Sequence, residues 1–249
     1  MSIFITGDPH DENEIKRLSN NSCEYSNNLS TEDSIIILGD FGLIFNNIET
    51  NTEKYWLNWL ENKRFNIYFI DGNHDNHSKI WEYPMYGKFR KIRTNIFYIP
   101  RGTIFELENI TFLGIGGAGS HDKPERKEGI DWWRTELLTK KEEDNILKVI
   151  DDINKVDIVL TYTAPISIID KMVELKLLKN YSQYSSGGYN CPNNNIYYCP
   201  VSKFLEEVKN ILKFKEWYFG HLHIDEIIEL DDSKYIATYK EIRKLNKGE

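Results

Sequence analysis

The residues of this chain that could do chemistry stand in short segments, each just past an apolar run. Asp8-Pro9-His10 comes after SIFIT, Gly39-Asp40 after SIIIL, and Gly72-Asn73-His74-Asp75 after NIYFI. Thr161-Tyr162-Thr163-Ala164-Pro165 follows VDIVL, Gly220-His221-Leu222-His223 follows EWYF, and Gly116-Gly117-Ala118 follows ITFLGI. Carboxylate, amide oxygen and imidazole are the ligands of hard and borderline divalent cations, so their recurrence at strand ends predicts a metal centre. Four of the six histidines, His10, His74, His221 and His223, fall inside these segments. Residues two apart in an extended segment point the same way, so Asp8 with His10, and His221 with His223, could each reach one ion. One segment is odd: where a ligand is expected, the chain carries Tyr162.

The elements that must position these side chains read as alternating short strands and amphipathic helices. Strands are expected at 2–6, 34–38, 66–70, 96–99, 103–107, 111–116, 156–161, 216–219, 225–230 and 234–239. Helices are expected at 11–20, 53–64, 137–150, 166–178 and 201–213, with Thr139 and Glu142 forming a capped start. The first half reads βαβαβ, a parallel core with right-handed crossovers. From residue 96 the closer succession predicts an antiparallel portion, ending in a hairpin turned at Asp231-Asp232-Ser233. Strands of both halves stacked face to face, with helices outside, give an α/β fold: a four-layer α/β/β/α sandwich of mixed sheets. Every polar cluster then lies at the carboxyl end of a strand, where open α/β sheets form their ligand crevice. No repeat or linker divides the chain, so residues 1–249 read as a single domain, with 179–200 a long surface loop.

Composition narrows the class. With 249 residues, 40% hydrophobic and 28% charged, the chain is an ordinary globular protein with a substantial core. It has no apolar run long enough to span a bilayer and no signal-like start, so a cytoplasmic location and no membrane partner are expected. Cys23, Cys191 and Cys199 are odd in number and lack CxxC spacing, so free thiols are expected, with a Cys191–Cys199 bridge left open. A net charge of −8 argues against strong non-specific binding to nucleic acid. It leaves room for a small phosphorylated substrate, because bound cations would offset the ligand carboxylates.

In this order, Asp-x-His, Gly-Asp, Gly-Asn-His-Asp and Gly-His-x-His resemble the signature of the calcineurin-like metallophosphoesterases. The blocks TGDPH, ILGDFG, FIDGNHD, GGAGSHDKPER and DWWRTE resemble a bacterial and phage branch of them. The resemblance implies the same α/β/β/α fold and a metal-dependent hydrolysis of a phosphodiester or phosphomonoester, a nucleotide or cyclic nucleotide among the candidates. It implies two divalent ions, Mn²⁺ first, with Fe, Zn²⁺ or Ni²⁺ as alternatives, that activate a hydroxide. Asp8, His10 and His223 would hold the first ion and Asp40 would bridge to the second, held by Asn73 and His221. His74 would act as general acid and Asp75 would orient it. The Gly116–Gly119 run lacks the spacing of a nucleotide P-loop; the resemblance implies instead a close-approach turn beside the site.

The departure is Tyr162, at a position where the resemblance implies a histidine. A phenol must lose its proton before it binds a cation well. Three readings follow: a phenolate ligand; a gap filled by water, with a weak second site; or a catalytically weakened chain that binds a phosphorylated ligand in the same cleft as a regulatory protein. His77 and His121 could compensate but read as surface residues. Arg126 could contact a phosphate and the Trp132-Trp133 pair a base or sugar, against a salt-bridged Arg and a core or lid aromatic pair.

Overall fold

The computed structural model describes residues 2–10, 12–19, 28–120, 122–178 and 199–245. In chain order the first elements are β1 (Ile3–Gly7), α1 (Glu12–Ile15), β2 (Ser34–Leu38), α2 (Asn51–Glu61), β3 (Asn66–Ile70) and α3 (His77–Ile80). Next come β4 (Met85–Tyr86), β5 (Phe89–Arg93), β6 (Ile96–Tyr98), β7 (Thr103–Leu107) and β8 (Ile110–Ile115). The remainder is α4 (Lys140–Ile153), β9 (Ile158–Thr161), α5 (Ile166–Glu174), α6 (Pro200–Ile211), β10 (Glu216–Phe219), β11 (Glu226–Leu230), β12 (Ser233–Ala237) and β13 (Arg243–Lys244).

Two mixed sheets result, ordered β13-β1-β2-β3-β6-β5-β4 and β11-β12-β10-β9-β8-β7. Strands β1, β2, β3 and β6 pair in parallel, and so do β8, β9, β10 and β12. Side-chain parity explains the layers: Ile35 and Ile37 pack with Leu57 and Leu60 of α2, while Ile36 and Leu38 join Leu113, Leu160 and Phe219 in the core between the sheets. Each such fully buried aliphatic contributes about 1.5–3 kcal/mol. Thr139 and Glu142 close the expected capping box on α4, and Thr50 with Glu53 closes another on α2.

The structure departs from the sequence reading where local pattern is weak. The second half is antiparallel at β5–β6, β7–β8, β11–β12 and β1–β13 but parallel through β8, β9, β10 and β12, because helices in the connections return the chain to the same end of the sheet before β9 and β10. The expected helix 11–20 is the short α1 followed by a 3₁₀ turn over Lys16–Leu18. Strands β4, β5 and β13 had no apolar alternation to announce them. The hairpin turn is the two residues Asp231 and Asp232, with φ of 52° and 60°. Of the expected loop 179–200, Cys199 is a buried free thiol and Pro200 opens α6; the rest lies outside the described residues, as do Cys23, Cys191 and His121. No helix among the described residues is long and apolar enough to cross a membrane.

Candidate metal centre

The segments after β1, β2, β3, β8, β9 and β10 meet at one edge because these strands are parallel within their sheets. The pairs two residues apart do not reach the centre from extended backbone, as their spacing predicts. Asp8, His10, Asp40, His221 and His223 all have left-handed backbone, with φ of 55°, 30°, 45°, 65° and 53°. That conformation costs about 1 kcal/mol or more for a residue with a side chain, and it persists where surrounding structure over-determines it.

Asp8, His10 and His223 bring one ligand atom each within 4.8 Å of the others, and so do His10, Asp40 and His74. The Nε2 atoms of His10 and His223 are 3.2 Å apart. Asp8 Oδ2 faces His223 Nε2 at 3.0 Å, and Asp40 Oδ2 faces His10 Nε2 at 3.2 Å. Both carboxylate oxygens are buried and accept no well-formed hydrogen bond. Such oxygens are costly unless a cation or donor satisfies them, so this donor set fits a divalent ion held by Asp8, His10, Asp40 and His223. Protonation tells the same story. Burial, with Asp40 adding, pushes the Asp8 carboxyl up against the opposing His223 bond. Burial opposes charge on His10, yet Asp8, Asp40 and Glu14 hold its imidazole above the usual value. Burial also opposes charge on Asp40, but His74, His10 and the Tyr162 hydroxyl keep its carboxyl low. The cluster is short of positive charge.

Asn73 donates its Nδ2 to Ser120 Oγ at 3.2 Å, which turns its Oδ1 to the centre. Ser120 is itself fixed by Glu136, through its backbone N–H at 3.1 Å and its hydroxyl at 2.5 Å. The Tyr162 hydroxyl shares its proton between Asn73 Oδ1 at 3.2 Å and Asp8 Oδ1 at 3.3 Å. Its ring is 1% exposed and lies against His221, with centroids 4.7 Å apart. The water-filled gap among the three readings is therefore corrected: the phenol fills that space. Burial and the Asp40 and Asp8 carboxylates push its pKa well above the ordinary value.

His74 donates its backbone N–H to Asp40 Oδ1 at 2.7 Å, and its ring meets that of His10 edge-on at 5.3 Å. Arg126 Nη2 stands 3.4 Å from His74 Nε2, held by Asp122 at 2.6 Å, so Arg126 is both salt-bridged and at the site. Burial and Arg126 lower the His74 pKa although Asp40 opposes them. Asp75 differs from its expected role. Its carboxylate accepts the N–H groups of Phe41, Gly42 and Gly72 at 3.1, 2.9 and 2.9 Å, tying the β2 and β3 loops together rather than orienting the His74 ring. Burial and Asp40 push that carboxyl up to about 8.

Behind the centre, several supports carried no sequence signal. Buried Asp71 pairs with Arg101 at 2.5 Å and accepts from Tyr98 Oη at 2.8 Å. A Cβ on Gly116 would stand 2.1 Å from Asp71 Oδ1, which is the close approach expected of that glycine run. Glu14 Oε2 lies 3.6 Å from His10 Nδ1, and Glu14 Oε1 accepts from Tyr239 Oη at 2.7 Å. Glu14 could have been found as the acid four residues after His10; Tyr239 could not. His77 is not a surface residue: it is 5% exposed, and its Nε2 accepts from Trp81 Nε1 at 2.7 Å. Trp132 and Trp133 are buried, Trp133 meeting Phe45 edge-on at 4.5 Å. Phe45, with His10, Asn46, Thr50, Thr52 and His74, lines a cleft of about 370 Å³ beside the centre.

The sequence profile of the calcineurin-like phosphoesterase family matches residues 1–225. No curated protein matches the chain. Among solved structures, the phosphopantetheinyl hydrolase of Mycobacterium tuberculosis is 11% identical, with a TM-score of 0.52, over 99% of this chain and 96% of that one. The anchor in the inner membrane complex of Plasmodium is 13% identical, with a TM-score of 0.49, over 96% of this chain and 71% of that one.

Proposed function

Because this chain belongs to the calcineurin-like phosphoesterase family, we propose that it is a divalent-cation-dependent hydrolase of phosphoesters working at the cleft beside His10 and His74. The observation that carries the reading is the pair of buried, unsatisfied carboxylate oxygens on Asp8 and Asp40 facing imidazole nitrogens. Asp8, His10, Asp40 and His223 would hold the cation, with Mn²⁺ the ion to try first. When bound, a divalent cation polarises phosphoryl oxygens and brings the pKa of water toward neutrality.

The chain's own residues do the rest. Arg126 would present a planar fork to phosphate oxygens, and its 3.4 Å distance from His74 Nε2 would let both reach one phosphoryl group. A bound phosphoester adds negative charge there, opposing the effect of burial on His74, so the imidazole can carry the proton it gives to the leaving oxygen. The cleft lined by Phe45, Asn46 and Thr50 would receive the alcohol portion, nucleotides and cyclic nucleotides included. A phosphodiester monoanion needs less counter-charge than a monoester dianion, which favours diesters.

The test is turnover of bis-p-nitrophenyl phosphate, p-nitrophenyl phosphate and a nucleotide panel with Mn²⁺ and with chelator. Absence of cation-dependent turnover on all of them would sink the reading. Tyr162, seated among the ligands, favours one alternative: a binding or regulatory protein using the same cleft. A Tyr162→His chain that turns over substrate where the natural chain does not would establish that alternative.

A further inference from the structure

We infer that Tyr162 makes this a centre for a single divalent cation, because its hydroxyl and ring occupy the Asn73 oxygen and the His221 face that a second cation would need. The inference rests on the cation reading of Asp8, His10, Asp40 and His223. The residues left over for a second ion are Asn73 and His221, with Asp40 shared. Tyr162 meets two of the three directly: its hydroxyl donates to Asn73 Oδ1 at 3.2 Å, and its ring covers His221 at 4.7 Å.

The phenol cannot easily swing away. A Cβ on Gly39 would stand 2.2 Å from Tyr162 Cδ2, and one on Gly220 would stand 3.7 Å from it, so the ring is wedged against backbone that has no side chain to move. The backbone at its root is fixed too, since the Gly220 N–H donates to Tyr162 C=O at 3.0 Å. Asn73 cannot turn its oxygen elsewhere, because its Nδ2 is held by Ser120 and Ser120 by Glu136. The hydroxyl proton is thereby held between Asp8 Oδ1 and Asn73 Oδ1. A cation entering there would have to displace that proton from a buried phenol. The first set has no such cost, because its free oxygens, Asp8 Oδ2 and Asp40 Oδ2, accept no hydrogen bond from the phenol.

The experiment titrates metal-free protein with Mn²⁺ alone and counts bound ions by elemental analysis. Paramagnetic resonance distinguishes an isolated ion from a coupled pair, and ultraviolet difference spectra detect phenolate. The natural chain is expected to bind one ion, with an isolated-ion spectrum and no phenolate band. Tyr162→His is expected to bind a second ion and give a coupled spectrum. Two ions on the natural chain, or a phenolate band rising with Mn²⁺, overturns the inference; so does a folded Tyr162→His chain that stays at one ion. If that variant does not fold, the count and the difference spectrum of the natural chain decide. No ion bound to the natural chain overturns the cation reading beneath the inference, a failure visible as zero rather than two.

Discussion

The ring of Tyr239 lies nearly parallel to that of His223, with centroids 4.6 Å and planes 11° apart. Tyr239 Oη donates to Glu14, whose other oxygen stands beside His10 Nδ1, so one carboxylate steadies both imidazoles of the proposed cation set. Partners that orient metal-ligating histidines change metal affinity about 10–100-fold when removed. Tyr239→Ala is therefore expected to weaken Mn²⁺ binding about tenfold. Tyr239→Phe, which keeps the stacked ring, is expected to weaken it less. Calorimetric titration of both variants checks the order; equal affinities in all three chains would show that the stack does not matter.

His74 and Arg126 should separate by kinetics. His74→Gln is expected to lower kcat by about 10²–10⁴-fold while leaving bound Mn²⁺ unchanged, because the side chain acts on the leaving oxygen. Arg126→Ala removes a phosphate contact and is expected to raise KM more than it lowers kcat. Steady-state assays with metal analysis on the same samples measure both; loss of the ion in His74→Gln would make the residue a ligand instead.

The Asp71–Arg101 pair should govern stability. Asp71 is fully buried, and Arg101 is almost so. Removing one member of a buried pair leaves an uncompensated charge and costs about 3–5 kcal/mol. Arg101→Met is thus expected to lower urea-unfolding stability by about that amount. A loss below about 1 kcal/mol, the range of surface pairs, would contradict the buried-pair reading.

His77 sets a pH dependence. Burial, with Arg101 adding, lowers its pKa to about 4, so the folded chain holds it neutral. The unfolded chain binds a proton near the ordinary histidine value of 6.5, so this contribution is complete above pH 6.5 and is lost as pH falls toward 4. The loss amounts to about 3 kcal/mol. Denaturation curves between these pH values should show a shallower slope for His77→Gln, which can still accept from Trp81 but does not titrate. An unchanged slope would remove His77 as the cause.

Much of this protein was written locally. Apolar runs placed β2, β3, β7 and β10 at their observed bounds, because a strand's period of two and its flanking turn residues are properties of neighbouring positions. The same locality made the candidate ligand segments legible: a Gly-Asp or Gly-His-x-His past a buried run needs only the strand before it. The resemblance then supplied the family. What the sequence could not decide depends on residues far apart in the chain. Glu14 meets Tyr239 and Asp8 meets Tyr162 at separations of 225 and 154 residues, and β13 joins β1 from the opposite end of the chain. No periodicity encodes such partners. Left-handed backbone at Asp8, His10, Asp40, His221 and His223, the burial of His77 and the three N–H groups on Asp75 likewise follow from how loops are held by what packs around them. Tyr162 shows the division most clearly. Its spacing marked it as a missing ligand, but only the packing of its ring against Gly39 and His221 turned the expected gap into a filled space.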